Sequence, residues 1–227
     1  MSKKSPSYYL KSVKALGWGE KEAILDRQRQ DLLTKYIAGK KILDVGCGYG
    51  IYVDFLASSG LDAYGLDFTE EFIKSARKTK KGEFIEGNAE KLPYSNRFFD
   101  TVLLFDILEH GDDSQILEEA KRVCKERILV IVPKVVDKNL EQSGVIFRHY
   151  LDKSHLREYA EVDIKSLVEK VGLKLIYLEA IHPLYNETIF LSLFNSSLIW
   201  KKIVRKIVFW LLPKHSYPTE YFAVLEK

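Results

Sequence analysis

Short apolar runs, many of them β-branched, alternate along the chain with longer segments whose apolar residues recur at helical spacing. Several runs are apolar at nearly every position, which is typical of strands buried on both faces of a sheet. Strands that alternate with helices predict a parallel sheet covered by helices on both faces. The strands predicted in the alternating part of the chain are 41–45, 61–67, 82–87, 100–105, 127–133 and 173–181.

Three helices are recognised by the spacing of their apolar side chains, over 24–37, 116–124 and 164–171. Gly39 follows the first helix and Gly172 follows the third. Glycine is the preferred residue just past the end of a helix, because it adopts the left-handed conformation without strain. The glycines therefore support the predicted ends of these two helices.

The last part of the chain lacks the alternation of strand and helix. Residues 182–220 are interpreted as a helical insertion or lid, and 221–227 as the final strand. Residues 1–39 are predicted to form an N-terminal helical segment that precedes a core over 40–181. We therefore expect a doubly wound α/β fold with a helical cap inserted between its last two strands.

Composition narrows the function classes only slightly. A length of 227 residues suits one domain, and a net charge of +3 does not by itself indicate nucleic acid. The two cysteines form neither a zinc pattern nor a disulfide framework, which favours a reducing, cytoplasmic compartment. We expect neither a signal peptide nor a membrane span, since no apolar stretch reaches the required roughly 20 residues.

The motif ILDVGCGYG places Gly46, Gly48 and Gly50 between a predicted strand and a predicted helix. The first N–H groups of a helix have no partner within it, and glycines let a ligand lie against the bare backbone. The spacing differs from the G-x-G-x-x-G of dinucleotide sites, and Asp44 would repel a pyrophosphate. These features disfavour an NAD-dependent oxidoreductase and favour a ligand that carries a positive group.

Polar residues follow the next two predicted strands. Asp67 ends the second strand, where a carboxylate accepts hydrogen bonds from both hydroxyls of a ribose. After the third strand, Asn88 is placed to bond an adenine amino group and the N–H of Ala89 a ring nitrogen. This combination describes a nucleoside with an amino-acid tail. S-adenosylmethionine has that shape, and its ammonium and sulfonium groups are both cationic.

At these residues the chain resembles the class I S-adenosylmethionine-dependent methyltransferases, especially those that act on small molecules. The resemblance implies a seven-stranded, mostly parallel sheet whose last strand is antiparallel. The matching segments are ILDVGCGYG, AYGLDFTEEFIKSAR, FIEGNAEKLPYSNRFFDTVLLFDILEH and HLREYAEVDIKSLVEKVGLKL.

The resemblance also implies the roles of single residues. Phe68 would flank the adenine, and Phe105 would offer its backbone carbonyl to the ammonium group. Where an aspartate is commoner in the family, this chain has Asn88, and Ala160 replaces the usual helix-capping Ser or Thr. The predicted site for S-adenosylmethionine, or its product S-adenosylhomocysteine, comprises Asp44, Gly46, Cys47, Gly48, Gly50, Asp67, Phe68, Asn88, Ala89 and Phe105.

The candidate catalytic residues are His110 and His155, and no metal site is predicted. Methyl transfer from a sulfonium requires a base only when the acceptor must lose a proton. An imidazole can serve as that base near neutral pH. For each histidine, a positioning or structural role is the alternative. Cys47 is also explained by packing of a small buried residue within the glycine turn.

A basic amphipathic segment at 195–212 is interpreted either as a lid over the substrate pocket or as a helix at a membrane surface. The predicted function is methyl transfer to a small-molecule, lipid-linked or glycan-linked acceptor, at oxygen. A non-catalytic S-adenosylmethionine-binding module and an RNA methyltransferase are the alternatives. Nucleic acid is disfavoured, because FDIL stands where amino-group methylases of nucleobases carry an Asn/Asp-Pro-Pro-aromatic motif.

Overall fold

A computed structural model of the protein describes residues 25–136, 152–185 and 216–227, together with Tyr8 and Lys11. The strands of the described part are β1 (Lys41–Val45), β2 (Asp62–Asp67), β3 (Glu83–Glu86), β4 (Phe99–Phe105), β5 (Cys124–Pro133), β6 (Lys174–Tyr185) and β7 (Ser216–Glu226). The helices are α1 (Arg27–Tyr36), α2 (Ile51–Ser58), α3 (Glu70–Thr79), α4 (Asp113–Val123) and α5 (Glu161–Lys170), with a 3-10 turn at Leu108–His110.

The seven described strands form one sheet in the order β3-β2-β1-β4-β5-β7-β6. Strand β7 runs antiparallel to both β5 and β6, while the remaining pairs are parallel. The predicted fold class is therefore confirmed, including the antiparallel last strand. Chain order reverses between β1 and β4, and ligands of open α/β sheets bind in the crevice at such a point.

Successive side chains of the central strands pack into two separate cores, one on each face of the sheet. In β4, Val102 and Leu104 belong to one core, whereas Leu103 and Phe105 belong to the other. Helices α4 and α5 cover the first face, and α1, α2 and α3 cover the second. Burial on both faces explains why the sequence of these strands is apolar at nearly every position.

The last two strands are longer than their sequence predicts. Their pairing continues to Tyr185 opposite Ser216, so residues 182–185 and 216–220 belong to the sheet and not to the predicted insertion. Pro183 lies opposite Pro218 in this extension. Proline has no N–H to donate to a ladder, and its presence weakens the sequence signal for a strand.

Several sequence predictions fall on residues that the structure does not describe. The basic segment 195–212 and most of 1–24 lie outside the described residues. Within the described ranges, the helices include none that is long and apolar enough to span a bilayer.

Helix α5 begins after HLREYA and ends before Gly172, as the sequence predicts, although its capping residue is Ala160. Ala160 precedes the helix and has no capping side chain, but its N–H donates to Oδ2 of Asp163 at 2.8 Å. At the other end Gly172 has a φ of 67°, the left-handed conformation that closes a helix. Asp163 thus supplies one half of the capping that the missing Ser or Thr would share.

We predict that Thr101→Val destabilises the protein by about 2 kcal/mol. Thr101 is fully buried in β4; its hydroxyl accepts the N–H of Ala38 at 2.9 Å and donates to the Ala38 carbonyl at 2.7 Å. Valine has the same shape but leaves both backbone groups unpaired. The matched control is Thr79→Val, whose hydroxyl bonds the Ser75 carbonyl on an exposed helix surface.

Urea unfolding measures the difference, provided that the slope with denaturant is the same for the three proteins. The control is expected to change the free energy of unfolding by less than about 0.5 kcal/mol. Equal losses in the two variants would mean that the Thr101 hydroxyl does not hold the segment between α1 and β1.

Candidate active site

The turn after β1 is built from left-handed glycines. Gly46, Gly48 and Gly50 have φ values of 79°, 52° and 77°, which residues with a Cβ adopt only with strain. The N–H groups of Gly46 and Cys47 both donate to the Leu66 carbonyl of β2, at 2.7 and 3.0 Å. The turn is thereby attached to the neighbouring strand and leads directly into α2.

The three glycines face different surroundings. A Cβ on Gly46 would lie 2.8 Å from Cδ1 of Ile107, and a Cβ on Gly50 would lie 2.4 Å from Cε1 of Phe84. A Cβ on Gly48 would meet no atom within 4 Å. Gly46 and Gly50 are therefore required for close packing, whereas Gly48 presents bare backbone to open space where a ligand can lie.

Asp67, at the end of β2, connects this turn to the start of α3. Its side chain is buried; Oδ2 accepts the N–H of Gly48 at 3.0 Å and Oδ1 accepts the N–H of Thr69 at 2.8 Å. Burial raises the pKa of Asp67, although these backbone donors favour the charged form. Each carboxylate oxygen keeps a second lone pair, which can accept a hydroxyl group of a ligand.

Asp44, near the end of β1, is the most conspicuous polar group of the site. The residue is 2% exposed, and its Oδ2 is buried without a hydrogen-bond partner among the described residues. Burial raises its pKa to about 8, and the negative charges of Asp67 and Asp106 add to the shift. Unpaired buried carboxylates are costly, so this oxygen indicates a place for a cationic or hydrogen-bond-donating group.

Arg29 of α1 reaches the same edge of the sheet, and sequence reasoning did not find it. Its guanidinium pairs with Asp106, with Nη1 2.6 Å from Oδ2 and Nη2 3.1 Å from Oδ1. It also lies 2.7 Å from Oε1 of Glu220 and donates to the Tyr52 hydroxyl at 3.1 Å. An arginine that is 13% exposed and shared by two carboxylates is held in one orientation.

A signal for Arg29 is nevertheless present in the sequence. The residue stands four positions after Leu25 and four before Leu33, on the apolar stripe that predicts the helix. A charged residue on such a stripe points toward the protein and needs a partner. Its partner Asp106 has a φ of 53°, a strained conformation for a residue other than glycine at the end of β4.

The structure brings together the two histidines that the sequence proposed as catalytic. His110 in the 3-10 turn and His155 have ring centres 4.9 Å apart. Burial and, to a smaller extent, the nearby His155 lower the pKa of His110 to about 4, and burial also lowers the pKa of His155. Both imidazoles are therefore neutral at pH 7. Glu109 lies beside them, 1% exposed, and burial raises its pKa well above its usual range.

The chain is similar to known methyltransferases over part of its length. A family model described as a methyltransferase domain matches residues 43–132. Demethylmenaquinone methyltransferase of Thermotoga maritima is 30% identical over 130 residues, which cover 55% of this chain and 57% of the relative. Ubiquinone biosynthesis O-methyltransferase of Photorhabdus laumondii is 39% identical over 93 residues, or 37% and 38% of the two chains. The chain thus spans about half or less of the length of these curated relatives.

Solved structures with the same architecture cover nearly the whole chain. A SAM-dependent methyltransferase from Archaeoglobus fulgidus has a TM-score of 0.68 at 19% identity, and the match covers 97% of this chain and 100% of that one. Magnesium protoporphyrin IX methyltransferase of Synechocystis PCC 6803, solved with bound SAH, has a TM-score of 0.59 at 14% identity, with 98% and 95% covered. At these identities the likeness establishes the fold.

Residues 43–132 thus match a methyltransferase domain, and the chain shares the fold of S-adenosylmethionine-dependent methyltransferases. These findings support the predicted family and its cofactor, S-adenosylmethionine. The described residues also fit this ligand. The unpaired buried oxygen of Asp44 suits its cationic groups, the open face of Gly48 leaves it room, and Asp67 retains lone pairs for its ribose.

The remaining residues of the predicted methyltransferase site are placed as follows. Phe68 and Ala89 are half-buried next to the ends of β2 and β3. Asn88 is exposed, and its Oδ1 already accepts the N–H of Glu90 at 2.9 Å, which leaves one lone pair for an adenine amino group. Phe105 is buried at the end of β4. The adenine and ammonium contacts assigned to these residues stay predictions.

Cys47 is explained by packing. Its side chain is 6% exposed within the core, and burial raises the pKa of its thiol well above the usual range. Its N–H donates to Leu66, and its carbonyl accepts the N–H of Gly50 at 2.8 Å. Because thiol, N–H and carbonyl are all engaged within the protein, the residue supports the shape of the glycine turn.

We predict that Gly48→Ala weakens binding of S-adenosylhomocysteine at least about 10-fold and costs only about 1 kcal/mol of stability. The added methyl group meets no protein atom, but it occupies the open face of the turn. Gly60→Ala is the matched control, because Gly60 has a φ of 84°, an equally open surrounding and no place in the site. Gly50→Ala is expected to lose about 2–4 kcal/mol of stability through its clash with Phe84.

Isothermal titration calorimetry measures the affinities, and urea unfolding measures the stabilities. The Gly48 and Gly60 variants should be equally stable and differ only in affinity. If Gly48→Ala binds the product as tightly as the wild type does, the open face of this glycine is not where the cofactor lies.

We predict that Asp44→Asn changes how stability depends on pH. With a folded-state pKa of about 8 and an ordinary value near 3.9, Asp44 stays protonated in the folded protein while the unfolded chain ionises. The wild type therefore loses up to about 1.4 kcal/mol per pH unit at this residue as pH rises through that window, and nothing further above it. Asparagine does not titrate.

The free energy of unfolding, measured at about pH 5, 7 and 9, reports this difference. The stability of Asp44→Asn relative to the wild type should rise between about pH 5 and 7 and stop rising above about pH 8. Parallel curves for the two proteins would mean that Asp44 is already ionised in the folded chain.

Proposed function

We propose that this protein transfers the methyl group of S-adenosylmethionine to a hydroxyl oxygen of a small or lipid-linked acceptor. The observation that carries the proposal is the unpaired, buried carboxylate of Asp44 beside the open backbone of Gly48. Together they suit a cationic donor at the point where the strand order reverses. The neutral histidine pair lies near the end of β4, where an acceptor would approach.

The residues of this chain act mainly by positioning. When bound, S-adenosylmethionine supplies an electrophilic methyl group on a sulfonium that leaves as a neutral thioether. Asp44 would hold the cationic end of the donor, and Asp67 would fix its ribose while holding the glycine turn in place. Alignment of acceptor and donor can supply effective molarities of about 10⁵ M or more.

A hydroxyl acceptor must lose its proton during the transfer. A neutral imidazole accepts a hydrogen bond from such a hydroxyl, so the pair of His110 and His155 is the candidate for receiving the proton. Burial lowers the pKa of both rings, which keeps them unprotonated at neutral pH but reduces their strength as bases. This balance suits an acidic hydroxyl, such as a phenol, better than an aliphatic alcohol.

Two further observations support an acceptor with a lipid tail. The relatives include a demethylmenaquinone methyltransferase and a ubiquinone biosynthesis O-methyltransferase. The segment 195–212 has the sequence of a basic amphipathic helix, which would contact an anionic membrane surface. We propose that this segment brings the site to its acceptor at the membrane.

Asp67→Ala tests the donor site. Two hydrogen bonds to a charged oxygen pair are lost along with the ribose contact, and we expect the affinity for S-adenosylmethionine to fall about 100-fold. Asp62→Ala is the matched control, because Asp62 lies on the same strand but is exposed at its opposite end. Thermal unfolding of each variant separates loss of binding from loss of fold.

Labelled S-adenosylmethionine then tests the transfer itself, with prenylated phenols presented in anionic and in neutral vesicles. Product that carries the label on oxygen, formed faster on anionic vesicles, is the expected result. Unchanged donor affinity in Asp67→Ala would contradict the donor site. Tight donor binding without any labelled product would instead support a non-catalytic binding module.

A further inference from the structure

Three potential metal ligands converge at the end of β4. One ligand atom each of Glu109, His110 and His155 lies within 4.8 Å of the other two. Glu109 and His110 belong to the 3-10 turn, whereas His155 comes from the segment that follows residue 151. The N–H of Leu156 donates to the Glu109 carbonyl at 2.8 Å, which holds the two segments together.

Two of these three residues carry buried atoms that have no hydrogen-bond partner. Among the described residues, only four buried side-chain atoms lack a partner, and Oε2 of Glu109 and Nδ1 of His155 are two of them. Glu109 is 1% exposed and the His155 side chain 11%. Buried polar groups are nearly always satisfied, so two unsatisfied atoms in one cluster require an explanation. A bound cation would satisfy both.

The surroundings orient His110 as a ligand would be oriented. The Ser154 hydroxyl donates its single proton to Oδ1 of Asp152 at 2.6 Å, since a carboxylate can only accept. The Ser154 oxygen therefore accepts from Nδ1 of His110 at 3.1 Å, and Nε2 carries the ring's lone pair. Metal-binding histidines are usually fixed in this way, by a hydrogen bond from the nitrogen that does not bind the metal.

We propose that Glu109, His110 and His155 bind a divalent transition-metal ion of the zinc class. Two imidazole nitrogens and one carboxylate oxygen form the ligand set of open zinc sites, which keep one position for water or substrate. Mg²⁺ and Ca²⁺ prefer ligand sets made of oxygen, so the two histidines disfavour them. The ion would also compensate the charge of a carboxylate that is buried without a partner.

A catalytic role for this ion rests on the proposed function, whereas binding of the ion does not. The open position would take the hydroxyl oxygen of the acceptor and lower its pKa, as zinc does for bound water. The hydroxyl proton would then leave to water, and the histidines would act through the ion and not as free bases.

Metal binding is tested on the full chain without donor or acceptor. The protein is stripped with a chelator, dialysed against Zn²⁺ or Co²⁺, and the ions per chain are counted by mass spectrometry. We expect Glu109→Gln to bind one ion fewer than the wild type and to lack the visible absorption of four-coordinate Co²⁺. Ser154→Ala should retain the ion with about 10–100-fold lower affinity, since only the orientation of His110 is lost.

Glu161→Gln is the matched control, because Glu161 is an exposed glutamate at the start of α5 and outside the cluster. It should bind the ion as the wild type does. The proposal would be overturned if the wild type and Glu109→Gln bound the same amount of metal while circular dichroism showed that both proteins are folded. Metal bound at this cluster in a protein that transfers no methyl group would refute only the proposed function.

Discussion

The carboxylate of Asp67 is the contact on which the rest of the site depends. By accepting the N–H groups of Gly48 and Thr69, it joins the ends of β1 and β2 to the start of α3. Together with the bonds from Gly46 and Cys47 to the Leu66 carbonyl, it holds the glycine turn in place. Because the bonded atoms are backbone groups, the open face of Gly48 is presented in one geometry, ready for a ligand.

A second constraint is electrostatic, since carboxylates crowd the same edge of the sheet. Asp44 and Asp67 are both buried there, and each has its pKa raised by burial. Asp106 and Glu109 lie just past the end of the neighbouring strand β4, and the guanidinium of Arg29 in α1 pairs with Asp106. Such crowding lowers stability but favours a ligand with positive charge. An adenosyl donor with a sulfonium and an ammonium group matches this requirement, whereas a dinucleotide would add further negative charge.

Long-range contacts join distant segments of the chain at this edge of the sheet. Arg29 bridges Asp106 and Glu220, and so ties the N-terminal helix and the last strand to the end of β4. The rings of His110 and His155 are also in contact, although the two residues are far apart in the chain. Asp44, the glycine turn and Asp67 are therefore local to two neighbouring strands, whereas the contacts of Arg29 and of the two histidines join four segments that are distant in the chain.

Much of the fold and of the donor site follows from the sequence alone. The period of apolar residues predicts the strands and helices, and glycines beside acidic strand ends predict a turn for the cofactor, because these signals act over a few residues. The tertiary structure alone decided which glycine is closely packed and which faces open space, since Ile107 and Phe84 are far from the turn in sequence but lie beside it in the fold. It also decided the pairing of Arg29, the meeting of the two histidines and the extension of β6 and β7 past their prolines. Each of these depends on contacts between segments that no local pattern connects.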